Sequence, residues 1–241
     1  MDHKLPTARA IEKRASLHTV VANVLGEEII SGQLPIGDLL PTEAELGARF
    51  NVSRTVIREA VKQLTSKGLL RTSSGIGTWV PPAHEWNFLD PVVFSWVKAS
   101  GDSAAMIQHL FSFRNAIEPA AAAEAARTAT PEQLALMKTA LDIMCAPDVD
   151  FHAWVSADVE FHTAIYIGSN NVFMASLASL FREYFQMSFS VSSSNVHFQH
   201  CLQEHVDVYE AIAEHRPADA LAAVQVLLNH AHEDVRQVMG Q

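Results

Sequence analysis

The sequence predicts a mainly α-helical chain in two parts: a small helical head closed by a two-stranded hairpin, then an antiparallel helical bundle. Three observations predict it. Apolar residues recur at helical spacing along most of the chain. Strand signals are confined to a short stretch near residues 69–80 and vanish after Pro91. Charge is divided unequally: residues 1–82 hold ten Lys/Arg against eight Asp/Glu, whereas residues 83–241 hold seven against nineteen. The boundaries read as a tail over 1–14, a head over 15–81, a linker over 82–91 and a bundle over 92–241.

Composition narrows the classes. At 241 residues and 49% hydrophobic content the chain can bury a core, which excludes intrinsic disorder. No uncharged apolar run approaches membrane-spanning length. The charged stretch Met1 to Arg14 lacks an apolar signal region, and Cys145 and Cys201 are too few for a disulfide framework. These features predict a cytoplasmic protein.

In the head, Val20, Val21, Val24, Leu25 and Ile29 form one helical stripe, stopped by Gly32 and Pro35. Thr42 and Glu45 have capping-box spacing and open a second helix through Phe50. Ser53 caps a third helix with an apolar face of Val56, Ile57, Ala60, Val61 and Leu64, ended by Gly68. Two strands, near Leu69–Thr72 and Thr78–Val80, are joined through Ser73 to Gly77. Helix, helix, turn, helix, hairpin is a winged helix-turn-helix, in which the third helix enters a DNA groove. Arg49, Arg54, Arg58, Lys62, Lys67 and Arg71 stand in one window with Glu59 as its single acid, a footprint for phosphate. Arg54, Thr55 and Arg58 lie opposite the apolar stripe, where arginine can pair with guanine. Gly75 allows close backbone approach at the wing tip. Ser53, Ser74 and Arg49 border these positions and complete the candidate DNA-binding set. A solvated charged face, or a protein-binding winged helix, is the alternative.

Leu40-Pro41-Thr42-Glu43-Ala44-Glu45-Leu46, Val52 to Ala60, and Gly75-Ile76-Gly77-Thr78-Trp79-Val80 together resemble the GntR family of bacterial repressors. The resemblance implies operator contacts from Arg54, Thr55, Arg58 and Gly75. Ala44 departs from the pattern, since many members carry arginine there.

Beyond Pro91, helical patterns fall at 92–99, 104–126, 131–144, 151–168, 172–191, 199–214 and 219–239. Arg114-x3-Glu118-Pro119, Asp158-x3-His162 and Glu204-His205 resemble the FadR subfamily and its ligand-binding FCD domain. The Trp86–Asp90 linker is most similar to that of galactonate-pathway repressors. Asp158 and His162, four apart on a helix, share a face, and facing helices can add His205 and His230. One carboxylate and three imidazoles suit Zn, Ni or Mn with positions left open. The subfamily resemblance implies such a divalent-metal site. It assigns Asp158, His162 and His205 directly. It reaches His230 only if residues 213–218 carry a short insertion after which Asp219-Ala220-Leu221-Ala222-Ala223 opens the last helix; counted directly, the position is Leu227. Each histidine taken alone reads first as a core residue bonded to backbone carbonyls; only the constellation points to a metal. Arg114 is the candidate for gripping a carboxylate, with Glu118 pairing with it or orienting a ligand. Ser188, Ser190, Ser192 to Ser194 and Asn195 form a dense polar segment that spacing does not place.

The reading that follows is a non-enzymatic regulator: a homodimer on a palindromic double-stranded operator, controlled by a small organic or sugar acid in the bundle. The alternatives are a metal-dependent enzyme acting on a sugar acid and fused to a DNA-binding head, and a helical adaptor that only dimerises.

Overall fold

The computed structural model describes residues 16–100, 103–178, 182 and 202–238. Two compact units divide at Gly101/Asp102. In the first, α1 (Leu17–Ile30), α2 (Glu43–Phe50) and α3 (Arg54–Ser66) precede a hairpin of β1 (Arg71–Ser73) and β2 (Gly77–Trp79). After a 3-10 turn (Ala83–Glu85) comes α4 (Pro91–Ser100).

The stripe on α1 buries Val21, Leu25 and Ile29 against Leu46 of α2 and Ile57, Ala60 and Leu64 of α3. Val20 faces away, at 47% exposure, so the apolar face begins one residue later than the sequence stripe. The capping box is present: Thr42 N donates to Glu45 Oε2 at 2.8 Å, and Glu45 N to Thr42 Oγ1 at 3.3 Å. Asn51 takes the left-handed conformation (φ 52°) that reverses the chain into α3. Leu69, Leu70 and Val80 go into the core rather than the ladder, so the strands pair only from Arg71↔Trp79 to Ser73↔Gly77.

The boundary drawn at residue 92 is corrected by α4, whose Val93 and Trp96 belong to the core of the first unit. Trp96 Nε1 donates to Asn23 Oδ1 at 3.1 Å, and its ring lies on Gly26, where a Cβ would come within 2.5 Å of the indole. The segment before α4 is tied down as well. Trp86 Nε1 donates to the Pro81 carbonyl at 2.9 Å, Asn87 N to the Lys67 carbonyl at 2.9 Å, and Lys67 Nζ pairs with Asp90 at 2.6 Å. Pro81-Pro82 therefore ends the strand without ending the unit.

The second unit contains α5 (Ser103–Thr128), α6 (Pro131–Met144), α7 (Phe151–Gly168), helical residues 172–178, α8 (Leu202–Ala213) and α9 (Pro217–Val238). The polar segment 188–195 and the helical pattern beyond 178 lie outside the described residues, apart from Arg182. Helix α5 packs on α7, α8 and α9, and α6 on α7. Ala121, Ala122, Ala125 and Ala126 are buried, and their small side chains let helices approach closely. Gly168 continues this: a Cβ there would meet Met137 at 2.6 Å and Ala125 at 3.4 Å. Thr130 and Gln133 form a capping box on α6, and Asp150 caps α7. No described helix is long and apolar enough to cross a membrane.

Candidate DNA-reading face and buried pocket

Ser53 Oγ accepts the Val56 amide at 3.4 Å and starts α3. With Ile57, Ala60 and Leu64 directed to the core, helical geometry turns Arg54, Thr55 and Arg58 to solvent. Ser74 and Gly75 are exposed at the hairpin tip, where Gly75 has φ 84° and open space around it.

The basic window is less bare than its composition indicates. Four of its cations meet acids from outside it: Arg49 with Glu28, Arg58 with Glu43, Lys67 with Asp90 and Arg71 with Glu85. Arg49 is further held over the Phe50 ring, 4.8 Å from its centroid. To reach DNA, Arg49 would exchange its Glu28 partner for phosphate. Arg54 and Lys62 make no ion pair with a described residue.

In the second unit the long-range arrangement matters most. Arg114 and Glu118 lie one turn apart on α5; Asp158 and His162 lie one turn apart on α7; His205 comes from α8. All five are buried, between 2% and 4% exposed. Asp158 Oδ1 is 2.7 Å from His205 Nε2 and 3.8 Å from His162 Nε2. One ligand atom from each of these three residues lies within 4.8 Å of the others. On the far side of the ring, His162 Nδ1 is 2.9 Å from Glu118 Oε2. Arg114 Nε donates to Glu118 Oε1 at 2.6 Å.

The donor set fits a divalent cation. One carboxylate oxygen and two imidazole nitrogens converge, and Glu118 fixes the orientation of His162 as carboxylates behind metal-ligating histidines do. Phe161 and Trp154 stand edge-on to the His205 ring, with centroids 5.3 Å and 6.1 Å away. Burial alone would push both carboxyls up. Arg114 and His162 instead hold Glu118 down at about 2, and the bond to His205 holds Asp158 below the usual carboxylate range.

His230 is not part of this group. Its side chain is 52% exposed and its Nδ1 donates to Glu204 Oε1 at 2.9 Å. The register explains it. The α8–α9 connection is a tight turn, with His215 at φ 55° and Arg216 N bonded to the Ala211 carbonyl, so there is no loop to absorb an insertion. Leu227, the position reached by direct counting, is the buried one at 2%. Glu118 pairs with Arg114, one of the two expectations for it, and its other oxygen faces His162. Tyr166 was not anticipated. It continues the Asp158–His162 spacing by one more turn, and burial together with Glu118 pushes its phenol well up.

The family models agree with this division. Residues 17–80 match the bacterial regulatory proteins of the gntR family, and residues 109–230 match the FCD domain. The chain belongs to the GntR family. It is 35% identical over 224 residues to the HTH-type transcriptional regulator YieP of Escherichia coli, covering 92% of this chain and 96% of that one. It is 34% identical to the galactonate operon transcriptional repressor of Escherichia coli, covering 89% and 93%. It is 31% identical to the repressor NanR of Klebsiella aerogenes, covering 89% and 84%. Among solved structures, Streptococcus agalactiae GntR matches with a TM-score of 0.51 and 26% identity, over 90% of this chain and 99% of that one. This GntR-family protein is thus a transcriptional regulator, with the GntR DNA-binding domain ahead of an FCD domain, and not an enzyme.

Proposed function

We propose that this GntR-family protein is a homodimeric repressor, released from a palindromic operator when a small sugar acid or hydroxy acid binds in the FCD domain. The observation that carries the reading is the burial of Asp158, His162 and His205 around one point, backed by Glu118 and Arg114. These three residues would hold the ion. A divalent cation there (Zn, Ni or Mn) supplies a Lewis acid that a carboxylate and its neighbouring hydroxyl can chelate together. Arg114 lies over the Phe111 ring at 5.2 Å and offers a fixed positive charge to an entering anion. Glu118 keeps both Arg114 and His162 in place. Arg54, Thr55, Arg58, Ser53, Ser74 and Gly75 would form the operator face. The similarity to a galactonate operon repressor supports an aldonic acid as the first class to try.

The test is fluorescence anisotropy of the full-length protein on a duplex selected from a random library, titrated with galactonate, gluconate, lactate and related acids. One class of acid is expected to lower affinity for the wild-type protein. Asp158→Asn should bind the same duplex and ignore the acid. Equal release in Asp158→Asn, at matched folding, removes the pocket from the account.

A further inference from the structure

A free arginine beside DNA reaches for phosphate as readily as for a base. Arg58 is not free. Its Nε lies 2.8 Å and 2.9 Å from the two carboxylate oxygens of Glu43, which sits in the first turn of α2. Both residues face solvent, with side-chain exposures of 69% and 41%, so the core does not require the pair. A surface ion pair of this kind contributes little to stability, typically about 0–1 kcal/mol. A carboxylate on a DNA-facing surface carries an electrostatic cost against the phosphates, which asks for a compensating use.

We propose that Glu43 is a positioning residue that turns Arg58 into a guanine reader. The inference rests on α3 being the helix that reads DNA. An arginine has five N–H donors in a fixed fork. Engaging Glu43 through Nε leaves Nη1 and Nη2 as a coplanar pair, the geometry that meets guanine O6 and N7. No described residue takes those two nitrogens. The neighbouring carboxylate also offsets the guanidinium charge, which weakens its attraction to a bare phosphate more than its bidentate bond to a neutral base edge. The fork is held in advance, so less rotamer freedom is lost on binding. Arg54, one turn earlier on the same face, has no such partner among the described residues and keeps its whole charge for phosphate or base. The two arginines therefore divide the work: Arg58 selects and Arg54 attracts.

The experiment selects duplexes from a random library with full-length wild type, Glu43→Ala, Glu43→Gln, Arg58→Ala and the double variant Glu43→Ala/Arg58→Ala. Affinity for the winning duplex is then measured against salt. Wild type should show one guanine in each half-site that Arg58→Ala no longer selects. Glu43→Ala should weaken discrimination at that same position by about tenfold, a typical share of one bidentate contact. The double variant should discriminate no worse than Arg58→Ala. Releasing the arginine to phosphate should also steepen the log affinity–log salt slope of Glu43→Ala by about one. Glu43→Gln keeps an acceptor without the charge and should fall between, with a melting temperature that reports intact folding. If both Glu43 variants select the same guanine with an unchanged slope while Arg58→Ala loses it, Glu43 has no positioning role and the DNA-reading helix stands. If Arg58→Ala itself selects as wild type does, the reading of α3 fails, and this inference with it.

Discussion

The two units of this regulator place their functional charges in opposite environments. On the head, Arg54, Thr55 and Arg58 are exposed, and the pair Arg58–Glu43 lies at the surface. In the bundle, Arg114, Glu118, Asp158, His162 and His205 are at most 4% exposed and are linked to one another by ion pairs and hydrogen bonds. The difference teaches where each site can tolerate change. Exposed pairs exchange partners with water and DNA at little cost, which suits a face that must bind and release. A buried network has no solvent to fall back on, so its geometry is fixed and any lost partner leaves a charge stranded.

The sharpest way to break that contrast is Glu118→Ala. It leaves Arg114 and His162 buried without their shared carboxylate, and stability should fall by about 3–5 kcal/mol, measured by urea unfolding. The acid limb should report the same network. Asp158 and Glu118 are both held low in the folded chain, Glu118 at about 2 against an ordinary 4.5. Their stabilisation is complete above that ordinary value and disappears as the pH drops toward 2. Urea midpoints of Glu118→Gln should accordingly fall less steeply with acid than those of wild type.

Next in size is Gly26→Ala. Its Cβ would press the Trp96 indole, and overpacking of this kind costs about 1–3 kcal/mol. The loss should show in amide protection of α1 and α4 together, because these helices share one core; loss in α1 alone would return α4 to the second unit. At the small end, Glu43→Ala removes a partner of Arg58 from a pair whose side chains are 69% and 41% exposed, and should change stability by less than about 1 kcal/mol, read as a melting-temperature shift close to zero.

Much of this was legible from local spacing. Thr42 and Glu45 announce the start of α2, Ser53 that of α3, and Asp158 with His162 one face of α7, since each signal needs only a few consecutive residues. What spacing could not deliver depends on partners distant in the chain. The acids that neutralise Arg49, Arg58, Lys67 and Arg71 all lie outside their window. Trp96 looks like a bundle residue until Gly26 provides the flat surface it covers. His230 was lost because family register carried across a turn assumed slack that the α8–α9 connection does not contain. Tyr166 was open to discovery, for it repeats the four-residue step of Asp158 and His162, but an aromatic at that spacing reads first as core.

The account rests on three buried ligands acting together without His230, and calorimetric titration tests it directly. Chelator-treated full-length protein is titrated with Zn²⁺ and with Mn²⁺, alongside His162→Ala and His230→Ala. One site per chain is expected in wild type, unchanged in His230→Ala and abolished or at least about tenfold weaker in His162→Ala. Binding that survives in His162→Ala, or disappears in His230→Ala, would contradict the buried centre.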